Sequence, residues 1–453
     1  MESEDSGMET SFSEQEYTAS LHLAMKQAER HEREIHRLKN SVTYRLGEHL
    51  TASARRPWKL LFLPLTFPYH SFLLGLEKIG MKAPPNSALI GDNSNSNRED
   101  CLVLFPTNGV GFGHFTRMYS VAKAIRRHSP STEVIFFTPM PTLHIPYIED
   151  FPTYHIAGKY KFQNISSTQW NGLIEEQLLM IFETHKPKMF MFDGAYPYRG
   201  MLNAIRREPS MKKMWMRRGM FKKGSKIPVD SIQFFDTILH PGDAITTQER
   251  GVEHSVEVKH VPPILLVKEE EMLSKEEARS RLGVPQSAEV WYVQLGAGQI
   301  NDIESEIRLT IDALLEHDSE LFIVIGESLL GKRVSFSNER VRILRDYPNA
   351  IYFKGFDYSI QAGGYNSFHE MRSSQIPTIF YPNMNTGMDD QLARCRVAEK
   401  EGWGLVVEKR ESRTIVKAIQ AIQITDLEKS SAHKKTPHLS WVSDYLNDGV
   451  FDN

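Results

Sequence analysis

Two cysteines in 453 residues, Cys101 and Cys395, are too few for a disulfide framework. A chain so poor in cysteine is expected in a reducing compartment, which predicts a cytoplasmic location. An excess of either charge is missing too, with 54 Lys and Arg against 57 Asp and Glu. The formal net charge is −3, which gives no general argument for a nucleic-acid partner. The N-terminus is acidic at Glu2, Glu4 and Asp5, without the charged-then-apolar layout of a signal peptide. Unbroken apolar runs are missing as well. The most hydrophobic stretch, Leu60 to Leu76, contains Pro64, Pro68 and His70 and makes a poor spanning helix. What remains is a globular composition, 40% hydrophobic and 25% charged, with length for two domains and an extension.

The densest signals lie around residues 350–391. Ala350 to Phe353 reads as a strand. Gln361-Ala362-Gly363-Gly364-Tyr365-Asn366-Ser367 is a Gly-rich turn, and Ser367 to Ser373 reads as the start of a helix in which Ser367 and Glu370 are spaced as a capping box. A glycine pair lets the backbone approach a ligand with no Cβ in the way. Amides at a helix N-terminus attract anions, so phosphate fits Gly363 to Ser367. Any strand–turn–helix unit of an α/β fold has the same look. Ile376 to Pro382 reads as a second strand, and it leads to Asp389-Asp390-Gln391. Polar groups beyond strand ends are where open parallel sheets hold ligands. Glu370 suits a diol such as ribose, and Asp390 with Gln391 further hydroxyls. Asp389 and Asp390, adjacent on an extended loop, diverge, so no metal is expected.

Upstream, Cys101 to Pro106 reads as a strand and Asn108 to His114 as a Gly-rich loop containing Gly111 and Gly113. Phe115 to His128 reads as a helix and Glu133 to Thr138 as a strand, a βαβ opening. A dinucleotide fingerprint lacks its third glycine here and has no acid after the second strand. His114, just past the first strand, fits a general base at neutral pH; a helix-capping or core histidine fits the position too. Asp193 ends a strand at Met189 to Asp193 and is placed either to orient a histidine or to cap a helix. Further elements are a helix at Trp170 to His185 and strands at Met214 to Met216, Ala244 to Thr246 and Val256 to Pro262. Arg217 and Arg218, near Lys222 and Lys223, suit phosphate or lipid headgroups, or a solvated loop.

In the second half, Ser274 and Glu277 form a capping box for a helix to Leu282. Val290 to Leu295 reads as a strand, followed by Gly296-Ala297-Gly298, a phosphate-contacting loop or a tight turn. A helix at Ile303 to Glu316 and strands at Leu321 to Ile325 and Gly402 to Val407 complete the pattern. The alternation predicts an α/β protein with two Rossmann-like parallel sheets. Before them, Leu21, Ala24, Ala28, Ile35, Leu38 and Val42 recur at helical spacing, a coiled-coil or packing helix open to self-association. Arg55, Arg56 and Lys59 precede the apolar run Leu60 to Leu76, and with the aromatics Trp58, Phe62, Phe67, Tyr69 and Phe72 they fit a segment lying on a membrane surface or a helical hairpin packed on the protein itself. The divisions are residues 1–82 as a helical extension, 83–99 as a linker, 100–265 and 266–430 as the two domains, and 431–453 as a C-terminal helix.

Gly364-Tyr365-Asn366-Ser367 followed by Glu370, with Asp390-Gln391 after the next strand, resembles the donor signature of the GT-B glycosyltransferases. The UDP-glycosyltransferases and the bacterial enzyme that adds N-acetylglucosamine to peptidoglycan precursors are similar. This chain departs from the pattern with Ala362 where many members have histidine and Tyr365 where they have tryptophan. The resemblance implies a diphosphate on Gly363, Gly364, Asn366 and Ser367, ribose on Glu370, and the donor sugar on Asp390 and Gln391. It makes Gly111 and Gly113 part of an acceptor loop, His114 the base that deprotonates the acceptor, and Asp193 its partner. The C-terminal helix, residues 431–453, would return to the first domain. The segment before residue 83 resembles extensions of bacterial cell-surface polysaccharide glycosyltransferases. The implied function is inverting transfer from a UDP-linked sugar to a carbohydrate or lipid-linked hydroxyl without a cofactor, on the inner face of the membrane. A nucleotide-sugar 2-epimerase or hydrolase, or a non-catalytic sugar-nucleotide-binding protein, is the alternative.

Overall fold

The computed structural model describes residues 41–55, 57–78, 99–107, 112–162, 164–218, 229–245, 256–296, 303–327, 333, 335–386, 389–424 and 442. The heptad-like segment at residues 21–40, the linker at 83–98 and all of the C-terminal tail except Val442 therefore lie outside the described residues. The chain divides into two units, residues 1–92 and 93–453.

In the first unit, helices α1 (Val42–Ala54), α2 (Pro57–Leu60) and α3 (Leu63–Lys78) follow one another. The Ser41 hydroxyl caps α1 by accepting from the Tyr44 amide at 3.2 Å. α1 and α3 are joined by a 3.1 Å hydrogen bond between His49 Nε2 and Thr66 Oγ1 and by stacking of His49 on His70. On α3, Leu65, Tyr69 and Phe72 recur every three or four residues, which places them on one face, and they are 76%, 65% and 64% exposed. No described helix is long and apolar enough to cross a membrane.

The second unit contains two parallel sheets. In the front sheet, β1 (Glu99–Pro106), β2 (Glu133–Thr138), β3 (Thr153–His155), β4 (Pro187–Asp193), β5 (Lys212–Met216), β6 (Thr237–Pro241) and β7 (Glu257–Val261) run in the order β3-β2-β1-β4-β5-β6-β7. Its helices are α4 (Gly113–His128), α5 (His144–Ile148), α6 (Ser167–His185), α7 (Arg199–Arg206) and α8 (Val229–Ile232). In the rear sheet, β8 (Val290–Gln294), β9 (Phe322–Gly326), β10 (Val341–Leu344), β11 (Tyr358–Ala362), β12 (Thr378–Tyr381) and β13 (Gly404–Val406) run β10-β9-β8-β11-β12-β13. With it go α9 (Lys275–Leu282), α10 (Ile303–His317), α11 (Tyr365–Ser374), α12 (Gln391–Glu401) and α13 (Ser412–Gln423). Both orders reverse beside their first strand, at β1/β4 and at β8/β11, and crevices of open parallel sheets form at such points. Strand ends are level there: Pro106 pairs with Asp193 and Gln294 with Gln361.

One apolar cluster covers the outer face of each sheet, with Phe105, Phe190 and Trp215 in the front and Val293, Ile323 and Ile379 in the rear. A third joins the halves, running from Met118 and Leu239 through Ile264 to Val290, Phe353 and Phe368, and it includes Val442.

Two local expectations are corrected. Residues 350–353 are not a strand but part of a 3-10 helix, Asn349–Gly355. Its Ala350, Tyr352 and Phe353 are all buried, and a short apolar run has no period that separates strand from helix. The strand leading into the Gly-rich turn is β11, disguised by Ser359 and Gln361, which are polar yet fully buried. Ala244 is not in a strand either; that strand is β6, in which His240 is buried with Nδ1 2.7 Å from the carbonyl oxygen of Arg217.

Candidate active site

Because β1 and β4 are neighbours, the first turn of α4, the helix that follows β1, meets the acid that ends β4. His114, in the first turn of α4, has Nδ1 2.6 Å from Asp193 Oδ1. Arg117, one turn further on, donates from Nε to Asp193 Oδ2 at 2.9 Å and from Nη2 to Oδ1 at 2.8 Å. The same Nη2 lies 2.9 Å from His114 Nδ1. So short a contact between Nδ1 and a carboxylate puts the proton on Nδ1, and the Arg117 hydrogens are then directed at Asp193 rather than at the ring. This tautomer leaves Nε2 with its lone pair and no partner among the described residues. The His114 side chain is 21% exposed, whereas Arg117 and Asp193 are 2% exposed.

Burial lowers the His114 pKa below its ordinary 6.5. Asp193 pulls it back up, while Arg117 and Arg218 push it down, so the imidazole is neutral at pH 7. For Asp193, burial favours the neutral acid, but the charges of Arg117 and then His114 prevail and hold its pKa below the usual carboxylate value.

The opposite wall is the turn after β11. α11 begins at Tyr365 with Gly364 as its N-cap, and no side chain caps it. This corrects the Ser367–Glu370 capping box. Ser367 is already inside the helix, so the first amides of α11 are left to another partner. The two glycines differ in kind. A Cβ on Gly363 would collide with Cys395 Sγ, whereas a Cβ on Gly364 would meet nothing within 4 Å. Gly363 is required by packing, and Gly364 presents open backbone. Asn366 Oδ1 is buried without a hydrogen-bond partner among the described residues. Glu370 has no ion-pair partner among them, and burial pushes its carboxyl up to about 7.

Asp390 and Gln391 hold their own loop. Asp390 caps α12 by accepting from the Ala393 amide at 3.0 Å. Gln391 Oε1 accepts from the Asn383 amide at 2.9 Å, which leaves its NH2 without a partner among the described residues. Gly113 is at the start of α4. Gly111 and Gly298 lie outside the described residues.

Sequence reasoning missed what joins the walls. Arg394 of α12, fully buried, donates to both oxygens of Asp243 at 2.9 and 2.7 Å, to Asp389 Oδ1 at 2.6 Å and to the Gly363 carbonyl at 2.9 Å. Asp243 follows β6, so this bridge crosses from the rear half to the front. His369 Nε2 lies 3.3 Å from the same Asp243. The Tyr365 hydroxyl donates to the Gly242 carbonyl at 2.8 Å, and the Tyr347 hydroxyl is 3.0 Å from Thr116 Oγ1. Around the Tyr365 ring stand three guanidiniums, of Arg218 at 5.1 Å, Arg117 at 5.5 Å and Arg394 at 5.9 Å. Arg117 thus touches both walls, holding Asp193 on one and facing Tyr365 on the other. Of this cluster the sequence singles out Arg218 alone, as suited to phosphate; Arg117, Arg394 and Asp243 sit in patterns shared with many solvated helices and loops.

No model of a known protein family matches the chain, and no curated protein does. Solved structures do. The spinosyn forosaminyltransferase SpnP superposes with a TM-score of 0.55 at 12% identity, over 77% of this chain and 98% of that one. The spinosyn rhamnosyltransferase SpnG complexed with thymidine diphosphate gives 0.51 at 13%, over 78% and 99%. UDP-GlcNAc 2-epimerase from Methanocaldococcus jannaschii gives 0.51 at 11%, over 77% and 99%. At such identities what is shared is the fold, and this chain has the two-sheet GT-B fold.

Proposed function

We propose that this protein is an inverting glycosyltransferase that moves a sugar from a nucleoside diphosphate, with UDP the first candidate, to a hydroxyl acceptor. The observation that carries this reading is the pairing of His114 with Asp193 on one wall, while Arg117, bound to the same Asp193, faces Tyr365 on the other. His114 Nε2 takes the acceptor's hydroxyl proton as the oxygen attacks the anomeric carbon. The bond from that carbon to the diphosphate breaks, and the nucleoside diphosphate leaves with the electron pair. The imidazolium that forms is stabilised by Asp193, in the manner of an oriented histidine base. Uncapped amides at Tyr365 to Ser367 and the N-terminal end of the α11 dipole receive the developing charge on the leaving group. Asn366 fits the same group, Glu370 fits a ribose diol, and the Gln391 NH2 and Asp390 fit sugar hydroxyls. Nucleotide-sugar turnover in the presence of a membrane extract tests this. Release of nucleoside diphosphate that requires the extract, and that H114A abolishes, is the expected result. Release or C2 isomerisation without any acceptor would support the epimerase or hydrolase reading that the archaeal neighbour favours, and binding without turnover would leave a sugar-nucleotide-binding protein.

For the extension we propose a peripheral position on an anionic membrane, suited to a lipid-linked acceptor in cell-surface polysaccharide or glycolipid synthesis. The exposed Leu65, Tyr69 and Phe72 stripe, with exposed Trp58 and Leu61 and the neighbouring Arg55 and Lys59, supports this. Vesicles containing phosphatidylglycerol should sediment the wild type and release the L65E/F72E variant. Equal sedimentation of both would refute the idea.

A further inference from the structure

Three guanidiniums share one ring, but they are not equally occupied. Arg117 is committed to Asp193 through two hydrogen bonds at 2.9 and 2.8 Å. Arg394 is committed to two carboxylates and a carbonyl. Arg218, just past the end of β5, has a single polar contact among the described residues, from Nη1 to Asp389 Oδ1 at 3.5 Å. That oxygen already accepts from Arg394 at 2.6 Å, so the Arg218 contact is the weaker claim on it. A guanidinium offers five N–H donors in a plane, and one lying against a ring keeps its edge for in-plane acceptors. The Arg218 side chain is 22% exposed, against 2% and 0% for Arg117 and Arg394, so an incoming group can reach it. Burial lowers its pKa; Asp389 opposes this, and the charges of Arg117 and Arg394 add to it, an arrangement that an added anion would relieve. Asp389 is itself held by Arg394, so it has little charge to spare for a second cation.

We propose that Arg218 is an anion-binding residue of the cleft that donates to a phosphoryl oxygen of a bound ligand, from the wall opposite the Gly364–Ser367 turn. This rests on the glycosyltransferase reading for the ligand's identity, though not for its charge. The phosphoryl group has two sources, the donor's diphosphate or a phosphate on the acceptor, and binding measurements separate them. UDP, TDP, GDP, ADP and CDP are titrated into the full chain by calorimetry, followed by the nucleoside of whichever binds, and by inorganic pyrophosphate alone. In R218Q, affinity for the nucleoside diphosphate and for pyrophosphate should fall about tenfold to a hundredfold, the loss of a charge-assisted contact, while the nucleoside binds as in the wild type. That pattern assigns the contact to the donor. If diphosphate binding is unchanged but inorganic phosphate no longer binds the nucleotide-saturated R218Q protein, as it does the wild type, the contact is to an acceptor phosphate. R218K, which keeps the charge and loses the fork, should fall between; it also serves if R218Q misfolds. Equal affinities of wild type and both variants for every phosphate probe would overturn the proposal. Failure of the wild type to bind any nucleoside diphosphate would instead sink the function reading, and the pyrophosphate comparison would still decide the role of Arg218.

Discussion

Around Asp193 on the front wall of the cleft, ionic groups are matched at short range. Asp193 receives His114 at 2.6 Å and Arg117 at 2.8 and 2.9 Å, all within the protein. On the rear wall, Glu370 and the Asn366 carbonyl oxygen have no partner among the described residues, and α11 starts without a side-chain cap. Buried polar groups left unpaired are costly. The contrast teaches where binding and chemistry are divided. Under the proposed function, the wall that would move a proton is preorganised, and the wall that would grip a ligand has groups left for it.

The largest effect should come from the front wall. H114A removes the proton acceptor and should lower turnover by about a hundredfold to ten-thousandfold, the usual range for a general base. Nucleoside diphosphate affinity should stay within about twofold, since the rear wall is untouched. A fall in affinity as large as the fall in rate would erase the division between walls. Because the His114 pKa lies below 6.5, the rate should be lost only as pH drops beneath that value, with the protonated ring inactive.

Next is the bridge between the walls. R394M leaves Asp243 buried without its main cation and should cost about 3–5 kcal/mol in urea unfolding, the usual penalty for one orphaned member of a buried ion pair. A loss under about 1 kcal/mol would mean the halves are held by apolar contact alone.

The rear wall should show its incompleteness through pH. Glu370 titrates near 7 in the free protein. Only its ionised form accepts hydrogen bonds from a diol with both oxygens, so binding should favour the carboxylate. Nucleoside diphosphate affinity should therefore rise about tenfold from pH 6 to pH 8, and that slope should vanish in E370Q. Folding responds in the opposite sense. A carboxyl raised above its ordinary 4.5 costs stability as pH climbs from there through about 7, so ligand-free E370Q should melt higher than wild type at pH 8. A pH-independent affinity in the wild type would remove Glu370 from the site.

The finest test splits the glycine pair. G363A pushes a methyl into Cys395 and should cost about 1–3 kcal/mol, as overpacking does. G364A meets no protein atom and should leave stability within about 0.5 kcal/mol, while weakening nucleoside diphosphate binding.

The sheets were legible because β1, β4, β8 and β12 are apolar runs ended by loops rich in glycine or polar residues, and α9 announces itself through Ser274 and Glu277, whose capping box is formed. β11 and β6 were not, since they bury polar side chains: Ser359 and His240 find partners elsewhere in the fold, and both side-chain polar atoms of Gln361 are buried without a partner among the described residues. His114 and Asp193 were singled out by their places at strand ends, and their hydrogen bond follows from the adjacency of β1 and β4, which only the sheet order fixes. Arg117, Arg394 and Asp243 gave no signal. Arg394 and Asp243 are separated by 151 residues, and no local spacing carries such a pairing.

Arg394 ties the two sheets together through an ion pair whose members lie in different halves of the chain. A chain cut between β7 and α9 would yield one fragment retaining Asp243 stripped of its guanidinium and a second retaining Arg394 with half of its anions. Recombining halves between proteins of this architecture must carry both ends of that bridge together, or the chimaera inherits a lone ion in its interior.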